Sequence, residues 1–227
     1  MLAQKNRFRL ALIVAIVVYA VGVAGIFSSY YQWFINGTPL IILITLGLII
    51  YTHPSLDAKF VGFLGAAFTI ALLAEIIFVS NPSFFGDVAF GKSLGPVVKR
   101  VPWVVAVNWV VIIYCVGIFT QRMYAIIEKR IPPDNLLPKA VQKFSVVIDG
   151  AFISTFFDWI MEKAAVKLGY WEWQYNEIPF SNYAAWFITS AVILFFFEWI
   201  PFRKDNQFAV HLFILQLLFF LTLRSFL

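Results

Sequence analysis

Residues 60–80 read FVGFLGAAFTIALLAEIIFVS, an apolar run in which Glu75 is the single ionisable residue. At a rise of 1.5 Å per residue, an α-helix of this length extends about 31 Å, which matches the hydrocarbon core of a bilayer. Apolar runs of similar length recur on both sides of it, separated by short polar segments. This stretch therefore predicts a transmembrane helix, and the neighbouring runs predict further ones.

The composition supports the same interpretation for the whole chain. Of its 227 residues, 62% are hydrophobic and 13% are charged, whereas soluble domains carry about 25% charged residues. A soluble core of this size could not bury so much apolar surface, whose exposure to water costs roughly 25 cal/mol per Å². We expect an all-α, multi-pass transmembrane helical bundle that forms a single integral membrane domain over residues 1–227. It has about seven helices, or six if the short second span does not cross. The predicted spans are 8–27, 38–52, 60–80, 101–122, 141–161, 183–200 and 208–224.

The positive charge indicates topology rather than nucleic acid binding. The net charge is +5, but Lys and Arg lie in short loops between the apolar runs. Counted on alternate sides of the spans, eleven fall on the side of the N-terminus and six on the opposite side. This excess predicts a cytoplasmic N-terminus, and an odd number of spans then places the C-terminus outside.

Several classes of chemistry lack their sequence signatures. Cys115 is the only cysteine, so an intrachain disulfide is excluded, and the isolated His53 and His211 show no metal-ligand spacing. We interpret His53 as a loop residue. No phosphate-binding loop, dinucleotide glycine fingerprint or nucleophile elbow occurs. We therefore expect neither a metal nor a cofactor, which leaves acid–base catalysis by carboxylates on an apolar substrate, or ion-coupled transport.

Polar and aromatic candidates gather at one face of the predicted bundle. Ionisable residues inside membrane spans are costly and are therefore candidates for function. Each span crosses the membrane in the direction opposite to that of the span before it, so the candidates all fall at the face opposite the N-terminus. This result is the same for either orientation of the chain in the membrane. The two longest loops, 81–100 and 162–182, lie on that side as well. The candidate residues are Glu75, Asn108, Asp158, Glu162, Trp171, Trp173, Asn182 and Trp186.

Three of these candidates are suited to acid–base catalysis. Asp158 and Glu162 are four residues apart, so they share one face if the helix continues that far. Two carboxylates in an apolar setting hold their protons with different strengths. One can then donate a proton while the other acts as a base. Glu75, at the far end of the third span, completes the candidate catalytic set.

Structural roles for the same residues remain open at this stage. Glu162 would mark the point where its helix leaves the bilayer, Asn182 would cap the sixth helix, and the tryptophans would form an interfacial belt. Asp149 lies about half a turn away from Asp158 by helical phase, and is either a second functional group or an interhelical strut. Glu198 is interpreted as structural.

Two stretches resemble a known pattern. The first is EIIFVSNPSFFGDVAFGKSLGP over 75–96, followed by Val101-Pro102 and Asn108-Trp109. The second is DWIMEKAAVKLGYWEW over 158–173, followed by Ile178-Pro179 and NYAAW over 182–186. The early Trp33-Phe34 with TPL over 38–40 fits too. In order and spacing, over roughly 22–197, these stretches resemble the carotenoid biosynthesis family of multi-pass proteins that includes carotenoid 1,2-hydratases and bisanhydrobacterioruberin hydratase.

This resemblance implies a cofactor-independent hydro-lyase that acts on a carotenoid or another isoprenoid lipid in a bacterial or archaeal cell membrane. In the family reaction, an acid protonates carbon 2 of the terminal double bond of an acyclic carotenoid end. A tertiary cation forms at carbon 1, and water adds there to give a tertiary alcohol.

The resemblance also suggests roles for the candidate residues. One of Asp158 and Glu75 would donate the proton, and another carboxylate, such as Glu162, would orient or deprotonate the water. Asn108 and Asn182 would hold that water. The faces of Trp171, Trp173 and Trp186 would stabilise the cation and grip the polyene.

Other functions remain as alternatives. A carotenoid end-group cyclase or isomerase begins with the same protonation, but an internal alkene captures the cation and water must be excluded. A transporter would need polar groups that continue across the bilayer, whereas here they cluster at one face. A scaffold for other carotenoid enzymes would use its carboxylates to pair with cations.

Overall fold

The structure is a computed structural model that describes residues 2–132, 136–174 and 177–227. Within these ranges, nine helices and four short strands form an all-α bundle, which confirms the predicted fold class. The helices are α1 (Leu2–Ile26), α2 (Tyr31–Asn36), α3 (Thr38–Thr52), α4 (Ala58–Ser80), α5 (Pro82–Phe85), α6 (Trp103–Glu128), α7 (Lys139–Lys167), α8 (Phe180–Trp199) and α9 (Gln207–Phe226). The strands are β1 (Val88–Phe90), β2 (Val97–Val98), β3 (Val101–Pro102) and β4 (Trp171–Trp173).

Six of the described helices, α1, α4, α6, α7, α8 and α9, are long and apolar enough to cross a membrane. The chain is therefore an integral membrane protein. The predicted second span corresponds to α3, which has 15 residues and extends only about 22 Å. Only Gly37 separates α3 from the preceding short helix α2. The bundle thus contains six long helices and a seventh, shorter one.

Two details of the sequence interpretation are wrong. Helix α7 does not end near residue 161, because it continues through Glu162 to Lys167. The predicted loop 162–182 is correspondingly shorter, and its residues 175 and 176 lie outside the described ranges. Asn182 is not the cap of α8, because that helix begins at Phe180 after Pro179. The side chain of Glu162 accepts bonds from residues nine and eleven positions later, and that of Asn182 contacts Asp158, as described below.

Helix α6 occupies the centre of the bundle. Nearly every residue from Val104 to Thr120 is buried, and α6 contacts α3, α4, α7, α8 and α9. A helix that is apolar on all sides is stable only when it is surrounded in this way. The outer helices instead expose large apolar side chains, such as Ile13, Leu73 and Phe152, as expected for a surface in contact with lipid.

A strand pair closes the end of the bundle opposite the N-terminus, which we call the loop end. Strand β1 pairs with β4 in antiparallel register, with Val88 opposite Trp173 and Phe90 opposite Trp171. Next to the pair, the amide of Gly91 donates to the carbonyl of Tyr170 at 2.8 Å. The two long segments that the sequence places on one side are therefore joined to each other there.

The closure at Gly91 leaves no room for a side chain. A Cβ atom at this position would lie 2.1 Å from the carbonyl oxygen of Gly169, which is a backbone atom that cannot rotate away. We expect Gly91→Ala to separate β1 from β4 and to destabilise the protein by about 1–3 kcal/mol. Thermal unfolding in detergent measures this effect.

Gly65→Ala in α4 is the matched control for that prediction. No atom lies within 4 Å of its added Cβ, and alanine favours a helix more than glycine does. Its unfolding midpoint should equal or slightly exceed that of the unchanged protein. Equal midpoints for Gly91→Ala and Gly65→Ala would show that the strand pair adapts to the added methyl group.

Candidate functional site

A cavity lies between the helices near the loop end. Its walls come from α1, α3, α4, α6, α7, α8 and α9 and from the segments around β1 and β4. The empty space amounts to about 1380 Å³ with its open mouth included, and its lining is predominantly apolar. Seven of the eight candidates from the sequence line it: Glu75, Asn108, Glu162, Trp171, Trp173, Asn182 and Trp186. The fold therefore brings most of the candidates to one space suited to a lipid.

Glu75 reaches the cavity from α4 and is held by a tryptophan on α6. The indole Nε1 of Trp109 donates to Glu75 Oε1 at 2.7 Å. The ring of Trp109 stacks on that of Trp186, with centroids 3.8 Å apart and planes inclined by 20°. Trp109 belongs to the Asn108-Trp109 motif but was not among the site residues predicted from the sequence. Its adjacency to Asn108 is the signal that could have identified it.

Glu162 reaches the cavity from α7 and accepts two indole hydrogen bonds on one oxygen. Trp171 Nε1 and Trp173 Nε1 lie 2.7 Å and 2.5 Å from Glu162 Oε1. Alternate residues of a strand point to the same face, so β4 directs both rings towards Glu162 while Glu172 between them is exposed. These rings bind a carboxylate inside the protein, and the interpretation as an interfacial belt does not describe them.

Asp158 lies one helical turn before Glu162 and is fully buried. Unlike the other candidates, it does not belong to the cavity lining. Asn182 Nδ2 makes a long contact of 3.5 Å with Asp158 Oδ2. Asp158 Oδ1 has no hydrogen-bond partner in the described part of the chain. Asp158 therefore stands behind the cavity wall, next to residues that form the wall.

A comparison with protein families identifies the chain. The family model described as carotenoid biosynthesis protein matches residues 36–227, which is well over half of the sequence. The chain belongs to the carotenoid biosynthesis protein family. No curated protein and no solved structure is significantly similar to it. The match begins after Trp33-Phe34 and continues to the last residue, whereas the sequence patterns suggested an extent of roughly 22–197.

Membership of this family assigns the protein a role in carotenoid biosynthesis. An apolar cavity inside a membrane bundle fits an isoprenoid lipid as the substrate. Within the described residues, no group of three His, Cys, Asp or Glu side chains is arranged to hold a metal ion.

The carboxylates of Glu75, Asp158 and Glu162 in this carotenoid biosynthesis protein have no cationic partner within the part of the chain that the structure describes. Among the described residues, the one salt bridge joins Arg203 to Asp205 at the opposite end of the bundle. Moving an unpaired carboxylate charge into a protein interior costs several kcal/mol, and nearby like charges repel each other. Instead, one neutral indole N–H donates to Glu75 and two donate to Glu162. Uncharged indole N–H groups, rather than counter-ions, are thus the hydrogen-bond donors to Glu75 and Glu162.

Two other acidic residues have partners outside this cavity. The hydroxyl of Tyr124 donates to Asp149 Oδ2, which joins α6 to α7 and favours the role of an interhelical strut. Gln121 Nε2 donates to Glu198 Oε1 at 2.6 Å and joins α6 to α8, in agreement with a structural role.

His53 is a loop residue, but a buried one. It follows α3 at the N-terminal end of the bundle, where its ring nitrogens lie 2.6 Å from the carbonyl of Ser55 and 2.9 Å from that of Arg203. Its ring stacks on Phe60 with centroids 3.5 Å apart. Burial lowers the pKa of His53, and the contacts of its ring connect the loop after α3 to the loop that contains Arg203.

The two indole donors to Glu162 lead to a stability prediction. Trp173→Phe removes one N–H but keeps an aromatic ring in the buried position. We expect a loss of about 1.5–3 kcal/mol, because hydrogen bonds to charged groups have about this strength. Chemical or thermal unfolding in detergent measures it. Trp33→Phe is the control, since Trp33 is 72% exposed and should cost less than about 0.5 kcal/mol. Equal losses in the two variants would contradict a stabilising bond to Glu162.

Proposed function

We propose that this protein is a hydro-lyase that adds water across the C1–C2 double bond of an acyclic carotenoid end group. The observation that carries the proposal is the placement of Glu75 and Glu162 in one predominantly apolar cavity. They come from different helices, and neither forms a salt bridge with any of the residues that the structure describes. Indole donors engage a single oxygen of each carboxylate, which leaves the second oxygen for chemistry.

The hydrogen bonds distinguish the roles of the two residues. Glu162 accepts two indole N–H groups, and bonds to an ionised acceptor are about twice as strong as neutral ones. This arrangement favours Glu162 as the carboxylate anion. Glu75 accepts one such bond and serves as the protonated acid. Asp158 lies buried behind the wall, with one oxygen unpartnered among the described residues, and it stays neutral so that a second negative charge next to Glu162 is avoided.

The proposed reaction then follows in two steps. The carboxyl proton of Glu75 moves to carbon 2, a C–H bond forms from the π electrons, and carbon 1 becomes a tertiary cation. The oxygen of a water molecule attacks carbon 1 while Glu162 takes one of the water protons. Transfer of that proton from Glu162 to Glu75 restores the site. The net change is the addition of one water, and no cofactor is required.

The surroundings support both the cation and the water. The stacked pair of Trp109 and Trp186 lines the cavity, and aromatic faces attract cations by roughly 2 kcal/mol or more when water is excluded. Asn108 and Asn182 also belong to the lining, and their amides can donate to and accept from water. Such amides favour capture of the cation by water over cyclisation.

The orientation predicted from the Lys and Arg count gives the site a location. With a cytoplasmic N-terminus, the loop end and its cavity lie in the outer half of the membrane. Because carotenoids dissolve in the bilayer, the substrate would enter the cavity from the outer half of the membrane. Association with other carotenoid enzymes, which the scaffold alternative would require, remains a prediction.

Expression in cells that accumulate lycopene or γ-carotene tests the proposal. Mass spectrometry of the extracted pigments should reveal a product heavier by one water, which is absent from cells without the protein. An isomer of unchanged mass would instead indicate a cyclase. Unchanged pigments in cells that contain inserted, folded protein would contradict the proposed activity.

A further inference from the structure

A second polar cluster lines the same cavity on the wall formed by α1, α3 and α9. It consists of Tyr19, Thr45 and Gln216, one residue from each helix. Their exposed fractions are 8%, 2% and 4%. A buried glutamine in an apolar membrane helix is costly unless its amide is fully bonded. The cluster therefore needs an explanation that the proposed carboxylate chemistry does not supply.

The hydrogen bonds within the cluster satisfy only part of it. Gln216 Nε2 donates to the hydroxyl of Tyr19 at 2.9 Å, and that hydroxyl lies 3.5 Å from Thr45 Oγ1. Thr45 donates in turn to the carbonyl of Ile41 at 2.7 Å. Gln216 Oε1 has no partner within the described residues. Leaving a buried acceptor unbonded costs about 1–3 kcal/mol, and this one belongs to a side chain in the cavity wall.

The chemistry of the amide indicates what would complete the cluster. If the side-chain amide of Gln216 is turned by 180°, its oxygen accepts from Tyr19 and its nitrogen is left without a partner among the described residues. One polar atom of the amide is therefore unpartnered in either orientation. A hydroxyl group both donates and accepts, and it satisfies the amide in both cases. Thiols are weaker partners, and a charged group would be an unpaired charge in an apolar cavity.

The depth of the cluster separates it from the carboxylates. Gln216 lies ten residues before the end of α9, whereas Glu162 lies five residues before the end of α7. With both helix ends at the loop end, Gln216 is roughly 7 Å deeper in the bundle. The apolar side chains of Val111, Phe219 and Phe220 also line the cavity. A group bound at Gln216 is thus surrounded by surface suited to hydrocarbon.

We propose that Tyr19, Thr45 and Gln216 form a subsite for a single hydroxyl group inside the cavity. The hydroxyl belongs either to an isoprenoid alcohol, whose chain the apolar walls accommodate, or to a water molecule that serves the hydration. This proposal rests on the proposed function in taking the cavity as the substrate site. Both sources present the same O–H group. They predict different effects of substitutions at the subsite on probe binding and on the hydration rate.

A binding experiment on the purified protein in detergent distinguishes the two sources. The probes are geranylgeraniol and its methyl ether, which lacks the O–H donor, and quenching of the cavity tryptophans reports their binding. With an alcohol as the natural occupant, we expect the alcohol to bind about tenfold more tightly than the ether, as one net hydrogen bond provides. Gln216→Met should remove this preference and leave the Kd of the ether unchanged.

Gln121→Met is the matched control, because Gln121 bonds to Glu198 outside the cavity. It should keep the alcohol preference. Tyr19→Phe is the second variant, in case Gln216→Met does not fold, and it should reduce the preference in the same direction. Binding of the ether with unchanged Kd shows that a variant is folded.

With water as the occupant, the two probes bind equally, and Gln216→Met slows hydration at least tenfold relative to Gln121→Met. The proposal is overturned if Gln216→Met matches Gln121→Met in both the probe preference and the hydration rate. Failure of the proposed function is a separate result. A protein that prefers the alcohol but hydrates no carotenoid end refutes the hydratase and supports the subsite.

Discussion

Glu75→Gln should lower the turnover of acyclic carotenoid ends at least a hundredfold while the protein still folds and inserts. The amide oxygen of glutamine can accept the indole hydrogen bond of Trp109, so the packing is retained. An amide cannot supply the carboxyl proton that the alkene requires, and general acid catalysis contributes about 10²–10⁴-fold to rates. Quantifying the hydrated pigment per unit of folded protein measures this loss.

Glu198→Gln is the matched control for that variant. Glu198 is also a buried glutamate with an amide donor, but it lies outside the cavity. We expect it to keep the activity of the unchanged protein within about twofold, since only a structural bond is altered. If Glu75→Gln remained active and Asp158→Asn were inactive, the proton donor would be Asp158 and the assignment of Glu75 would be wrong.

Substitutions at Glu162 should separate its effect on stability from its effect on catalysis. Glu162→Ala leaves the indole N–H groups of Trp171 and Trp173 without their acceptor. Each unsatisfied buried donor costs about 1–3 kcal/mol, so we expect a loss of several kcal/mol and release of the β4 segment. Activity should fall with the loss of the folded site.

Glu162→Gln should restore most of the stability without restoring activity. Its amide oxygen can accept the indole bonds, but it cannot take a proton from water or stabilise the cation with a full charge. We expect turnover to stay at least a hundredfold below that of the unchanged protein. Unfolding midpoints and turnover, measured on the same preparations, provide the test. A Glu162→Gln protein with near-normal turnover would show that the negative charge has no part in the reaction.

Much of this architecture could be predicted from hydrophobic pattern alone. Each long apolar run corresponds to a helix, and the parity of the spans places Glu75 and Glu162 at the same end. This placement does not depend on the exact ends of the spans, because consecutive spans cross the membrane in opposite directions. The second predicted span, which corresponds to α3, was also expected to be the shortest.

The end of α7 could not be predicted from local pattern. A glutamate followed by a lysine is typical of a helix that leaves the bilayer, but Glu162 is 2% exposed. Its burial is stabilised by indole donors nine and eleven residues later, which only the pairing of β4 with β1 brings into position. Tertiary contacts of this kind override the local cost of a charged residue.

Side-chain pairings across helices were similarly invisible in the sequence. Nothing in the spacing of Trp109 and Glu75 indicates that they bond, because they belong to separate spans. Whether Asp158 belongs to the cavity lining depends on the rotation of α7 about its own axis. The hydrophobic periodicity of the sequence does not determine that rotation to within one residue. Gln216 was missed for a simpler reason: among the uncharged amides only Asn108 and Asn182 were weighed, although a glutamine within the last span is costly in lipid as well.

In the proposed reaction, a carboxyl proton and then a water molecule add to one double bond in this cavity. Incubating the purified protein and an acyclic carotenoid in ¹⁸O-labelled heavy water tests both additions at once. We expect a product with one ¹⁸O atom and one non-exchangeable deuterium per reacted end, and none with Glu75→Gln. A product that gains deuterium without ¹⁸O, or a pigment that gains neither, would contradict the account.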